Sequence, residues 1–443
     1  MATGVHHPLY VGTTKVFVTS PRYGTKEISL ITVEVNIFEN LLLPYMTARL
    51  VIVDSANASN AVHFQGQERV NIIVLDRDAN PLINKEFICM GIEYGQKLGD
   101  DKSGFVVKLI EEHAMLSNST RFSKSYEGKP EDILQKVSTE QMGVSVDIGD
   151  SSIQKNMRVI FPFTVSPLEA INWMASRCTT GTGLPFCLYS TFVDNALQLK
   201  SFQTLFGQGA TNAGDPFIFG TTNMKDGSTE EEYDIIAKKI MNYTINNNED
   251  TLLAMIRNVY GGYYNFVDTF EYGGEEKIYD FTKPFDSVPK INGSGIYNYD
   301  PGFTIGRPYH KGQNTYSTQI VTRKLFEDGI YSYLEEDSKE LHIRKAESRG
   351  LYNFIEQQSI SATVPGITFN FDKLGKQVEI YIRKDIPAEE GSTQGSLKDK
   401  KRSGIYLVQK VMYTIFQNRF TSTFTGTKMS TNGALGGEQL NQN

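Results

Sequence analysis

Between Ile31 and Ile37 apolar and polar residues alternate without a break: Ile31, Val33, Val35 and Ile37 fall on one side, Thr32, Glu34 and Asn36 on the other. Successive side chains of a strand point to opposite faces, so this run predicts a strand with one buried face. Leu43-Pro44-Tyr45 interrupts it, and a second strand is expected from Met46 to Val53, closed by Asp54-Ser55. A third covers Val70 to Leu75 and ends in the turn cluster Asp76-Arg77-Asp78-Ala79-Asn80-Pro81. Phe87–Tyr94 and Gly104–Glu111 continue the series. Short strands at regular spacing with turn signals between them predict a barrel or a sandwich. The 26 Phe and 23 Tyr against a single Trp suit such strands.

The texture changes near residue 116. Pro130, followed by Glu131 and Asp132, predicts a helix start, because proline fits the first turn and the helix dipole favours negative charge there. That helix should run to Met142, with Gly143 as its left-handed cap. A second helix opens at Ser166-Pro167-Leu168-Glu169, a capping box with proline in the first turn. Leu168, Ile171, Ala175 and Cys178 then share one stripe, flanked by Met174. Trp173 lies off that stripe, as a second packing surface or an exposed contact anchor. Strands are expected at Phe186–Phe192 and Leu197–Phe202, and residues 206–232, with Glu230-Glu231-Glu232, read as a loop or crossover. Further on, Ile240–Ile245 and Tyr263–Tyr272 read as strands around a short helix at Asn248–Asn258, and 284–316 as irregular insert material. Strands at Gly366–Phe371, Gln377–Arg383, Ile405–Phe416 and Phe420–Gly426 complete the pattern. The polar segment Glu389–Arg402, ending in Lys398, Lys400, Lys401 and Arg402, is expected to be a mobile surface loop, and residues 430–443 a frayed tail.

At 443 residues the chain suits about three domains. Its 44 basic and 51 acidic residues give a net charge of −7, without the basic excess of a chain that grips nucleic acid. Cys89, Cys178 and Cys187 form neither a disulfide framework nor a CxxC pair, so buried free thiols are expected. The start of the chain has no signal-peptide pattern, and no run approaches ~18 apolar residues. The six histidines show no zinc-ligand spacing. Asp76-x-Asp78-x-Asn80 opens like a calcium loop but places Pro81 and Phe87 where that loop needs Gly and Glu. Around Ser294 the glycine positions of a nucleophile elbow hold Asn292 and Ile296, and no phosphate loop occurs. Glu335-Glu336-Asp337 reads as solvated surface; a glycosidase needs two carboxylates held about 5–10 Å apart in a cleft. No catalytic, cofactor-binding or metal-binding residue is assigned, and no enzyme activity or cofactor is expected.

Several local patterns, in order, resemble one known family. They begin with Ile37-Phe38-Glu39, then Tyr45 to Asp54, and then Gly66-Gln67-Glu68 leading into Val70. Tyr126-Glu127-Gly128-Lys129-Pro130 opens the first helix. The most specific segment is Ser166-Pro167-x-x-Ala170-Ile171-x-Trp173-Met174-Ala175-x-Arg177. Val364-Pro365-Gly366, Gly375 with Val378, and Ser403-Gly404-Ile405 follow. Together, over about 28–428, they resemble the central hub proteins of the baseplate in contractile-tailed bacteriophages, departing in 206–232, 284–340 and 384–403.

The resemblance implies a mainly β chain with α+β inserts: two tail-tube-like β-barrel domains and two smaller insert domains. It places the first barrel at 1–115 with 205–228 and an α/β insert at 116–204. The second barrel falls at 229–283 with 341–429, an irregular insert at 284–340, and a flexible tail at 430–443. It further implies a homotrimeric ring that adapts a hexameric tail tube to a trimeric central spike. Tape measure and baseplate wedge proteins are further expected partners, with no stable nucleic-acid binding and no membrane insertion. The expected location is the baseplate of the virion tail, assembled in the host cytoplasm. A tail-associated cell-wall hydrolase and a receptor-binding tail protein are the alternatives; a carboxylate pair in a deep cleft would favour the first, exposed aromatic grooves on the inserts the second.

Overall fold

The computed structural model describes residues 7–54, 64–99, 102–192, 194–220, 230–247, 261–268, 273–280, 292, 317–322, 326–327, 330–334, 344, 348–353, 355–356, 358–384, 398–399 and 401–428. The expected helix at 248–258, most of the loop 384–403 and the tail 430–443 lie outside these residues.

The N-terminal strands are β1 (Thr13–Ser20), β2 (Gly24–Glu27), β3 (Thr32–Asn40), β4 (Thr47–Asp54), β5 (Arg69–Leu75), β6 (Pro81–Gly99) and β7 (Lys102–Ile110). The alternation read over Ile31–Ile37 holds only in part on β3: Val35 and Ile37 are buried, but Asn36 is buried as well and Val33 is only half-buried, next to a register shift between Thr32 and Glu34. The turn Asp76–Asn80 closes through the Asp76 carboxylate, which accepts from the Asn80 amide at 2.7 Å. That local use of the acid accounts for the calcium-like spacing.

After α1 (Glu112–Ser119) comes the α/β insert. It holds β8 (Lys124–Gly128), α2 (Pro130–Met142), β9 (Val146–Ile148), β10 (Met157–Phe161), α3 (Pro167–Ala175), β11 (Phe186–Tyr189) and β12 (Leu197–Ser201). Both helix starts and the Gly143 cap, at φ 70°, stand where local chemistry predicts them. On α3 the Ser166 hydroxyl accepts from the Glu169 amide at 3.3 Å, and the Glu169 carboxylate accepts from the Ser166 amide at 2.8 Å. The insert has its own core around Ile133, Val159, Phe161, Ile171 and Leu199.

Next are α4 (Phe202–Gly207), β13 (Phe217–Phe219), α5 (Glu230–Ala237), β14 (Asn242–Asn247), β15 (Gly261–Asp268), β16 (Gly273–Asp280) and β17 (Ser317–Thr322). The rest are β18 (Phe326–Glu327), β19 (Ile330–Leu334), β20 (Gln358–Pro365), α6 (Gly366–Phe369), β21 (Gln377–Ile382), β22 (Gly404–Phe416) and β23 (Arg419–Thr427).

Three local expectations change. Gly366–Phe371, read as a strand, begins instead with α6, and the strand precedes it as β20. Phe369 stacks on Phe424 at 4.8 Å, and that tertiary contact overrides the β-preferring Ile-Thr-Phe composition. The acidic run Glu230-Glu231-Glu232, read as loop, starts α5, where negative charge complements the helix dipole. Within 284–340, read as irregular, β19 pairs with β10 and places Ile330 in the insert core.

The dominant feature is a 13-stranded sheet of order β14-β20-β23-β22-β3-β4-β7-β6-β5-β1-β2, with β21 and β13 branching from β22. The pairing of β22 with β3, Tyr413 opposite Ile37, merges the first and last strands of the chain into one sheet. Its core runs from Val16 and Phe87 to Val411 and Phe424 without a gap. β13, grouped by the expected boundaries with the first unit, pairs in parallel with β21. Among the described residues no helix is long and apolar enough to cross a membrane.

Candidate functional site

The N-terminal strands, the C-terminal strands and the insert meet at Glu39. This carboxylate sits on β3 and is 1% exposed. It accepts from the Tyr413 hydroxyl of β22 at 2.8 Å and from the Phe192 amide of the insert at 3.1 Å. Burial pushes the Glu39 carboxyl up to about 8, against the opposing effect of those two hydrogen bonds. The same burial and the neighbouring Glu39 charge drive the Tyr413 phenol upward.

An aromatic cluster surrounds the acid. The Phe192 ring meets Phe371 at 5.3 Å and Tyr413 at 5.7 Å, and Phe371 stacks on Phe420 at 5.1 Å. Gly366 makes this packing possible: a Cβ there would lie 2.4 Å from the Phe420 ring. Of the adjacent motif positions, Ile37 is fully buried opposite Tyr413, and Phe38 lies half-buried between Thr47 and Met412. Asp54 ends β4 opposite Ser103.

The other motif residues set turns and helix ends at separate points. Gly66, at φ +92°, and Gln67 make the turn into β5, and the Glu68 carboxylate accepts from the amides of Gln65 at 2.7 Å and Gly66 at 3.0 Å. Pro130 is buried at the first position of α2. The Ser166-Pro167 start of α3 is tied to α1 by the Leu168 amide donating to Ser117 at 2.8 Å. Ile171 is fully buried, while Trp173 forms a second packing surface, edge-on to Phe161 at 6.2 Å. The Arg177 guanidinium covers the Trp173 ring at 3.0 Å and donates to the Trp173 carbonyl at 2.9 Å.

At the C-terminal end, Gly404 has φ +140°, and a Cβ there would lie 2.6 Å from Asn292 Oδ1. The Asn292 amide group donates to the Ile405 carbonyl at 2.8 Å and accepts from the Ile405 amide at 2.7 Å, standing in for a neighbouring strand. The buried Lys428 donates to the carbonyls of Ser403 at 2.6 Å and Lys401 at 3.3 Å. Burial lowers the Lys428 ammonium to about 8, with Asp399 acting against that shift. Sequence reasoning missed Tyr413, Phe192, Asn292 and Lys428, because each acquires its role through contacts remote in sequence.

Two clefts carry acidic side chains. One of about 570 Å³ runs along α3 past Asn172, Trp173 and Arg177 to Ile330, and its carboxylate, Glu169, is engaged in the helix cap. The other, about 300 Å³, lies between β6, α1 and the insert and is lined by Glu86, Glu111, Glu112 and Asp194. There Arg69 bridges Glu86 and Glu112, and Glu111 is held by Lys85 at 2.8 Å and the Met46 amide at 2.7 Å. A hydrolytic pair needs carboxyl oxygens directed at substrate, whereas Glu86, Glu111 and Glu112 are engaged by Arg69, Lys85 and the Met46 amide. Among the described residues no group of three or more His, Cys, Asp or Glu is placed to hold a metal, and all three cysteines are buried and free. What the motif residues do join is elements: Glu39 ties β3 to β22 and the insert, and the Leu168 amide ties α3 to α1.

No protein-family model matches the chain, and no curated protein matches it. Solved structures do. The 43 kDa tail protein of prophage MuSo2 from Shewanella oneidensis aligns over 94% of this chain and 99% of its own length, at TM-score 0.55 and 9% identity. A tail protein from Neisseria meningitidis MC58 aligns over 94% of this chain and 96% of its own, at TM-score 0.52 and 11% identity. The likeness is one of fold, extending over nearly the whole of all three chains.

Proposed function

We propose that this chain is a structural hub of a contractile tail. Three copies form a closed ring that joins a sixfold tail tube to a threefold central spike. The observation that carries this reading is the single sheet built from both ends of the chain through β3 and β22. It gives each copy two sheet-rich halves fixed to one another, as a threefold ring presenting six similar units requires. The halves are assigned as two tube-like barrels, one from β1–β7 and one from β13, β14 and β20–β23. β13, which the resemblance groups with the first barrel, is thereby assigned to the second, following its pairing with β21. The Glu39 junction keeps the halves and the insert from shifting under axial load. The role is mechanical and non-enzymatic, in the baseplate of a virion tail assembled in the host cytoplasm. Spike, tube, tape measure and wedge proteins are its partners.

One observation favours receptor binding instead. Ile160 and Tyr331, cross-strand neighbours on the insert, are 43% and 49% exposed, and Phe163, two residues after the end of β10, is 69% exposed. Electron microscopy of purified particles with an antibody against this chain separates the two. The hub reading expects label at the tube–spike junction; label at fibre tips, or none on particles, would overturn it.

A further inference from the structure

A lysine is buried where the last strand of the large sheet ends. Lys428 directly follows β23 and is 2% exposed. Its amide donates to the Gln358 carbonyl of β20 at 3.0 Å, and Gln358 is equally buried. Both side chains reach the turn Lys401–Ser403 that leads into β22. The Lys428 ammonium donates to the Ser403 carbonyl at 2.6 Å and the Lys401 carbonyl at 3.3 Å, and the Gln358 side-chain amide donates to the Lys401 carbonyl at 3.2 Å. The Ser403 hydroxyl donates to the Ile382 carbonyl at 3.1 Å, and the Tyr406 hydroxyl donates to the Arg402 carbonyl at 2.6 Å. The turn is thus held to β20, β21, β22 and Lys428 at once.

The ammonium is bonded to carbonyls and to no carboxylate. Asp399, the acid that acts on it, is committed to the same turn: it accepts from the amides of Lys401 at 2.9 Å and Arg402 at 3.0 Å and pairs with the Arg402 guanidinium at 3.4 Å. The charged and titratable groups around Lys428 are Lys398, Asp399, Lys401 and Arg402 beside the turn and Tyr406 on β22, whose ring lies 5.7 Å away. Cations there outnumber the one acid. A buried charge without a paired opposite charge is costly. An ammonium also has three N–H donors, of which two are bonded here. The neutral amine leaves water at far lower cost, and burial accordingly draws the Lys428 titration down to about 8.

We propose that the turn Lys401–Ser403 is a proton-operated clasp: a neutral Lys428 holds it against the sheet, and proton uptake by Lys428 favours its release. With the turn open, the amine meets water and titrates at its ordinary 10.5. The open form therefore binds the proton more tightly than the closed form, and opening becomes easier as pH falls from 10.5 through 8. Below 8 both forms are charged and the bias is complete. At neutral pH the clasp thus works against its own buried charge. Release sets Lys428 free in water beside Lys398, Lys401 and Arg402 and frees the start of β22. The clasp belongs to the chain itself and does not depend on the hub reading.

The test is tryptic cleavage after Lys401 and Arg402 in the full folded chain at about pH 7 and about pH 9.5, with fragments identified by mass. Rates are divided by those of a free peptide spanning the same bonds, which removes the pH dependence of the protease. Cleavage after Lys410, inside β22, requires unfolding of the sheet and serves as the reference for it. The relative rate at the turn should fall by about 30-fold from the lower to the higher pH, for a lysine that titrates at about 8 when closed and 10.5 when open. Lys428→Met, which carries no titrating group, should be cut at the same relative rate at both pH values. Lys428→Arg, charged at both, should also show no change. A fall of less than about threefold in the unmodified chain, or an equal fall in Lys428→Met, overturns the proposal. If Lys428→Met does not fold, its cleavage after Lys410 rises as well, and the comparison of the unmodified chain with Lys428→Arg decides.

Discussion

Replacing Glu39 by alanine is expected to destabilise the chain by about 2–5 kcal/mol, because the Tyr413 hydroxyl and the Phe192 amide both lose a buried partner. The loss should be largest below about pH 4.5. Glu39 has a folded-state pKa of about 8 against an ordinary value of 4.5. A raised acid binds more protons in the folded state, so its contribution is complete below pH 4.5 and is lost as pH rises through 8. At ~1.4 kcal/mol per pKa unit the change is about 5 kcal/mol. Lys428 acts in the next window: lowered from 10.5 to about 8, it makes stability rise with pH between those values. Urea unfolding midpoints across pH should therefore fall from about pH 5 to 8 and recover above it. Glu39→Gln should flatten the first limb and leave the second. An unchanged first limb in that variant would show that Glu39 is not the titrating group.

Gly366→Val should cost about 3 kcal/mol or more, because the site where a Cβ would stand lies within the Phe420 ring's contact distance. Gly366→Ala should show a smaller effect in the same direction. In a Phe420→Leu background the cost of Gly366→Ala should shrink, since a smaller side chain clears the space. Equal costs in both backgrounds would mean that α6 needs glycine for another reason.

The sequence announces features whose cause is local. The Ser166–Glu169 capping box, Pro130 at a helix start and Gly143 at a helix end depend on neighbours within a turn, and they stand where expected. The alternation over Ile31–Ile37 is also local, but a register shift between Thr32 and Glu34 set by the neighbouring strand leaves Val33 half-buried and buries Asn36. What was not legible depends on distant partners. Glu39 and Tyr413 are 374 residues apart, and alternation alone gives no reason to bury an acid. Tertiary packing also turned Gly366–Phe369 from expected strand to helix and recruited Ile330 into the core of a distant insert. Trp173 left two readings open because periodicity shows that a residue leaves the main stripe and not what it meets there. The motif positions are spread over the fold as turns, caps and joints, which is why they gave an order of elements rather than a catalytic constellation.

The threefold ring is tested most directly by the mass and symmetry of the purified chain, alone and with a threefold spike partner. Native mass spectrometry should give three times the chain mass, and class averages of the same sample should show a ring with a central opening and six similar lobes. A stable monomer or dimer in the presence of the partner, or a compact particle without an opening, would contradict the account.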